Sequence, residues 1–248
     1  MPVKSRGLAL LTVAGIAIAL TACSSGGSST SSSAAGQTTA AVTPAASGTA
    51  SGGAAAGGPA TSSATVPDGY KRAGGTAQGI SVAVPASWAT VDLSELSPAA
   101  GAKKLDVRGI TASEVTQDMT QLQKVHGIFV ADIAPATPGS FIRNLSAFCQ
   151  DSYVTESGSA GVSLLKQSAH TELSTFASDI TVQDENVGGI PGVMSTYELH
   201  SPNVGTIYGS QLEVLPKAGR GCYVTLTGST PQQKTGILAV AAATAQFP

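Results

Sequence analysis

The chain has 248 residues, of which 42% are hydrophobic, 11% charged and only 4% aromatic, with 29 glycines and a formal net charge of −2. That balance offers no basic surface to a phosphate backbone, so it argues against a nucleic-acid partner, and there is no acidic tail. The averages hide three unlike segments, 1–22, 23–67 and 68–248.

The first segment reads as an export signal. Lys4 and Arg6 form a positive start, and Leu8 to Leu20 is an apolar run without charge. The run is shorter than the about 20 residues that a membrane span needs. It ends in Leu20-Thr21-Ala22-Cys23, which resembles a bacterial lipobox. The chemistry of that motif needs a thiol, because sulfur takes the diacylglyceryl group. The small residues before it let a dedicated peptidase reach the bond ahead of Cys23. One acyl chain gives marginal membrane binding, and two or three give a lasting anchor. The expectation is a chain lipidated at Cys23 and held on the extracytoplasmic face of the cell membrane. The alternative is an ordinary secretory signal in which Cys23 is incidental.

Ser24 to Pro67 contains no Asp, Glu, Lys or Arg, and is almost wholly Ser, Thr, Ala, Gly and Pro. Such a stretch cannot bury enough surface to offset its ordering entropy and is expected to be a disordered tether. As a flexible coil it would reach roughly 35–40 Å. Its Ser and Thr content also suits O-glycosylation.

Charges and aromatics return together at Asp68, which marks the start of one folded domain running to Pro248. Thr111 to His126 is predicted helical. It opens on a capping box, Thr111-Ala-Ser-Glu114, followed by Val115, Met119, Leu122 and Val125 at helical spacing. Ser159 to Phe176 carries Val162, Leu165, Ala169, Leu173 and Phe176 on one face. The last helix starts at Thr230, with Pro231 at its first position, Gln233 completing a second capping box, and Ile237, Val240, Thr244 and Phe247 as its inner stripe.

The strands show period-two alternation. Ile80, Val82 and Val84 share a face, as do Leu145, Ala147 and Cys149, and as do Val193, Ser195, Tyr197 and Leu199. Gly127 to Ala134 is an apolar run suited to a central strand. Ile207 to Leu215 and Cys222 to Gly228 are joined by a short turn, Pro216 to Gly221, which demands antiparallel pairing. The fold class is therefore α+β, layered, with a mostly antiparallel sheet.

Several short motifs, in order, carry a family resemblance. Ile80-Ser-Val-Ala-Val-Pro-Ala-Ser-Trp88 looks like the opening strand and aromatic corner of PsbP-like domains. Gly188-Gly-Ile-Pro-Gly192 is similar to their inter-strand turn. Cys222-Tyr-Val-Thr-Leu-Thr-Gly228 and the helix ending in Ala245-Gln-Phe247 resemble their closing strand and helix. The match spans most of 70–247. Within that group the chain is most similar to actinobacterial envelope lipoproteins of the Lpq type, which share the lipobox and polar tether. The resemblance implies an α/β/α sandwich and a non-catalytic role. Some of these lipoproteins are associated with envelope lipid export. It supplies no ligand residues.

Two cysteines remain once Cys23 is set aside. Cys149 and Cys222 both lie on core-facing strand positions, and export places them in an oxidising compartment. A disulfide between them is expected; two buried thiols that never meet are the alternative. The single tryptophan, Trp88, reads as a core plug, with a ligand platform as the weaker candidate.

The search for chemistry yields little. The domain has no Gly-x-Ser-x-Gly elbow. It has no His-Glu-x-x-His, no Cys-x-x-Cys and no phosphate loop. His126 is expected to close a helix, and His170 to be solvated. Glu198 and His200 share a strand face and suit a surface ion pair. Asp184-Glu185 suits a solvated turn. No metal, cofactor or catalytic residue is assigned. The expectation is a lipid-anchored module that docks an envelope or membrane protein. Its rival is a carrier with an apolar pocket of about 300 Å³ or more between sheet and helix. An unrecognised hydrolase ranks third.

Overall fold

The structure, a computed structural model, describes residues 65–92, 112–132, 142–152 and 154–248. The predicted signal, Cys23 and nearly all of the tether lie outside these residues. So do Thr111 of the first capping box and the side chains of Glu114, Val115 and Gln233.

The described elements are β1 (Tyr70–Gly75), a 3-10 turn (Thr76–Gln78), β2 (Ile80–Pro85), β3 (Ala89–Thr90), α1 (Ala112–Lys124), β4 (Ile128–Ala131) and β5 (Asn144–Asp151). Then come α2 (Gly158–Leu173), β6 (Ser178–Val187), β7 (Ile190–Ser201), β8 (Gly205–Lys217), β9 (Arg220–Gly228) and α3 (Gln232–Thr244). Seven strands form one antiparallel sheet in the order β3-β4-β5-β9-β8-β7-β6, and β1 pairs with β2 as a separate hairpin. The fold is α+β with a mostly antiparallel sheet.

Strand alternation sends the core to both faces of the sheet. On one face Met119 and Leu122 of α1 and Leu173 of α2 pack on Phe129, Phe148, Tyr197, Leu199 and Tyr223. Val162 and Leu165 continue this layer over Val193 and Leu215. On the other face the hairpin's Ile80, Val82 and Val84, with Leu238 and Ala241 of α3, cover Leu145, Ala147, Leu212, Val224 and Leu226. These layers make the expected sandwich. The end of α3 is clasped to β2: Thr244 Oγ1 accepts the Ala83 N–H at 2.9 Å, and Arg72 donates to the Thr244 carbonyl at 3.0 Å.

Several expectations are corrected. The 127–134 run is a strand only over Ile128–Ala131, and it sits one place from the sheet edge rather than at its centre. Asp184 and Glu185 lie within β6, not in a turn. There Asp184 meets Lys166 of α2 at 2.9 Å. Pro231 caps α3 from outside rather than opening it, and the buried stripe is Leu238, Ala241 and Thr244, not Ile237 and Val240. α2 spans Gly158–Leu173, ending short of Phe176, which packs beside it.

Candidate functional site

α3 lies over β2, β9 and β8. A cleft of about 430 Å³ opens between α3 and the β6–β8 side of the same face. Its floor is Gln183, Glu185 and Val187 of β6, Met194 and Thr196 of β7, and Ser210 of β8. Its wall is Leu238, Ala239, Ala242 and Ala243 of α3. The cleft exists because the helix presents alanines where larger side chains would have filled the gap to the sheet. The two-residue turn Gly188-Gly189, with φ of 59° and 90°, closes the β6–β7 hairpin at the cleft's end. Only glycine adopts both values without strain.

The wall of the cleft is apolar, and its floor is mostly polar, with Gln183, Glu185, Thr196 and Ser210 beside Val187 and Met194. The Ser210 hydroxyl is buried and has no hydrogen-bond partner. Glu185, half-buried, accepts the Asn186 N–H at 3.1 Å and is the one charged residue of the lining. A slot with an apolar wall and an orphaned hydroxyl on a polar floor suits an amphipathic ligand, with an aliphatic part against α3 and a hydrogen-bonding group toward Ser210.

The sheet's opposite face holds a second set of ionisable groups. Glu213 is fully buried, and burial raises its carboxyl to about pH 8; Gln211 donates to it, and Glu172 adds repulsion. Thr225 donates to Gln211 at 3.4 Å. Burial also raises Glu172 of α2, partly offset by a 3.0 Å bond from Ser168, and raises Tyr197. Gly209 stands directly across from Tyr197, whose ring occupies the space a Cβ would need. Glu213 and Tyr197 are enclosed between α2 and the sheet, Glu172 is half-buried beside them, and none of the three lines the cleft.

Cys149 and Cys222 are joined by a disulfide, directly opposed on β5 and β9 with Cα atoms 4.1 Å apart. Trp88 is 2% exposed in the core, its ring within 5.9 Å of the Arg143 guanidinium, and it is not among the residues lining the cleft. Arg143 is in turn paired with Asp132. His126, in the left-handed region at φ 53°, follows the end of α1, and His170 is exposed. Glu198 and His200 form no ion pair. His200 instead bonds the hydroxyls of Ser178 at 3.1 Å and Thr206 at 3.4 Å, one on each neighbouring strand. No cluster of three metal-ligating side chains occurs among the described residues. Nor is any helix among them long and apolar enough to cross a membrane. Sequence reasoning missed Ser210 and the alanines of α3, which carry no motif.

No family model matches the chain, and no curated protein matches it. Solved structures do. Cyanobacterial PsbP from Synechocystis is similar over 77% of this chain and 100% of its own, at 12% identity and a TM-score of 0.43. LpqN of Mycobacterium tuberculosis, described as involved in cell envelope biogenesis, is similar over 73% of this chain and 87% of its own, at 13% identity and a TM-score of 0.41. A Pseudomonas aeruginosa protein of unknown function covers 44% of this chain and 71% of its own, at 14% identity and a TM-score of 0.32.

Proposed function

We propose that the chain is a non-catalytic envelope lipoprotein, anchored through Cys23, whose domain holds a lipid-like ligand in the cleft between α3 and β6–β8. The observation that carries this reading is the cleft itself: about 430 Å³, walled by Leu238, Ala239 and Ala242, with the unpartnered Ser210 hydroxyl on its floor. Ligand pockets of about 300–1,000 Å³ with a few convergent polar groups are the usual form of a small-molecule site. The position of the ionisable groups agrees. Glu172, Glu213 and Tyr197 lie on the sheet's other face, away from any ligand in the cleft, where they could not reach a reacting atom. Docking through an exposed apolar patch finds less support, since Leu164 is the one large hydrophobic side chain exposed among the described residues.

The test uses the full chain carrying Cys23→Ser, which has no acyl group to occupy the cleft. Native mass spectrometry with 1-dodecanol is expected to show one molecule bound per chain. Ala239→Trp, placed on the exposed edge of α3, should abolish that binding by filling the mouth. Ser210→Ala should weaken it by about 2- to 10-fold, the worth of one hydrogen bond. Dodecanol binding that ignores Ala239→Trp, or no binding at all, removes the carrier reading.

A further inference from the structure

The sheet has a gap beside β4. β5 is paired with β9 along its whole length, Asn144 to Asp151. On its other side β4 covers only Asn144 to Ala147. Residues 148–151 therefore have a partner strand on one side alone among the described residues.

The disulfide tells which way their peptide groups point. The 4.1 Å between the Cα atoms of Cys149 and Cys222 fits a non-hydrogen-bonded antiparallel pair (about 4.5 Å) and not a hydrogen-bonded one (about 5.5 Å). In such a pair each N–H and C=O points away from the facing strand. Those of Cys149, and by two-residue alternation those of Asp151, thus point away from β9, toward the side that β4 leaves bare.

A hollow of about 500 Å³ lies there. One wall is the turn Thr76–Gly79, and the other is the end of α1 with Gln121 and Val125. Gln150 lines it at 7% exposure, and neither its Nε2 nor its Oε1 has a hydrogen-bond partner. Arg220 also lines it, half-buried and in no ion pair among the described residues. Its guanidinium lies over Gly79 where a Cβ would collide with it. Asp151, opposite Arg220 in register, also lines the hollow, as does Pro248; both are exposed, so water screens the Asp151 charge more than that of the half-buried Arg220.

We propose that this gap takes an extended peptide segment of a partner protein, added as a strand along residues 148–151 of β5, with an acidic side chain beside Arg220. A peptide backbone presents donors and acceptors in the same alternating row as the bare strand edge. Its amides also complement Gln150, which needs a donor and an acceptor together. At about 3.3 Å per residue the bare stretch takes three or four residues. This site is separate from the cleft under α3, and its occupancy does not depend on what the cleft holds.

Selection of random heptapeptides displayed on phage, with the full Cys23→Ser chain as bait, tests it. Enriched peptides are expected to carry an acidic residue. Their binding should protect the amide hydrogens of Cys149 and Asp151 from exchange. N-methylation of alternate peptide amides should weaken binding about tenfold, while methylation of the intervening ones has little effect. Gln150→Leu should weaken binding by a similar factor, with unchanged exchange at Val224 reporting an intact sheet. Arg220→Met, which removes no hydrogen bond within the fold, should weaken acidic peptides and spare their amide counterparts. The proposal is overturned if no peptide is enriched, or if binding ignores Gln150→Leu, Arg220→Met and every N-methylation. It is equally overturned if maltose, a neutral sugar, protects Cys149 and Asp151 and peptides do not.

Discussion

Glu213 sits beneath α2 with no cation acting on it among the described residues, and its carboxyl stays enclosed by keeping its proton. Burial lifts its value from the ordinary 4.5 to about 8, and the neighbouring Glu172 pushes the same way. Tyr197 from β7, whose burial favours its protonated form, and Gln211 from its own strand are neutral neighbours. The consequence for stability has a definite sign. The unfolded chain releases this proton near pH 4.5, and the folded chain holds it until about pH 8. Folding is therefore strongest below the lower value and weakens as pH rises through the interval, by at most about 1.4 kcal/mol per pH unit. Glu213→Gln keeps the shape and the bond to Gln211 without a proton to lose. Urea unfolding at pH 5 and pH 8.5 should show a smaller loss for the variant than for the parent. Parallel losses would mean that Glu213 is solvated. At this scale the sequence was readable where a residue obeys strand period. Cys149 and Cys222 could be placed on core-facing positions, and Trp88 could be read as a core plug. Ser210 could not be singled out, because an orphaned hydroxyl is defined by what fails to approach it from α3.

Among the elements, legibility followed contrast. α2 alternates apolar and polar residues sharply, and its buried stripe Val162, Leu165, Ala169 and Leu173 was placed correctly. α3 is rich in alanine on every side, so its period gives little direction, and the expected stripe fell one position away from Leu238 and Ala241. β6 was missed for a related reason. As an edge strand with Gln183, Asp184 and Glu185 at its centre, it has only Ile180 and Val182 as an apolar pair on the α2 side, too short a run to stand out. The cleft is built on that strand and that helix, so the two least legible elements frame the site. The β5–β9 pair is the opposite case. Both strands are buried through most of their length and tied by the disulfide. The bridge closes a separation of 73 residues, worth about 4 kcal/mol if its action is to restrict the unfolded chain. Reductant, or the double variant Cys149→Ala and Cys222→Ala, should lower the urea midpoint accordingly. Alkylation of the unfolded domain should add two labels only after reduction. Two labels without reductant, or an unmoved midpoint, would show that the thiols are not bonded in the protein.

At the scale of the whole molecule, the two hollows lie on different parts of the sheet and differ in chemistry. The cleft beneath α3 has an aliphatic wall over a mostly polar floor, and the gap beside β4 is lined by glutamines, an arginine and an aspartate. A carrier that must deliver its cargo gains from such separation, because a partner can be engaged without blocking the ligand's exit. Both would be useful only if the domain stays near the membrane while ranging over it. That is the role proposed for Cys23 and the uncharged stretch after it. If that stretch forms the expected flexible coil, it would let the domain sample roughly 35–40 Å from such an anchor. Two or three acyl chains would bind the bilayer hydrophobically, so neither high salt nor carbonate should release the chain, whereas a mild detergent should. Cys23→Ser should move it from the membrane fraction to the soluble exported fraction and abolish incorporation of labelled palmitate. Dodecanol binding to the released domain should survive, since the cleft is formed wholly by residues 183–243. Palmitate incorporation that persists in Cys23→Ser, or a parent chain washed off by salt, would remove the anchor and with it the reason for the tether's length.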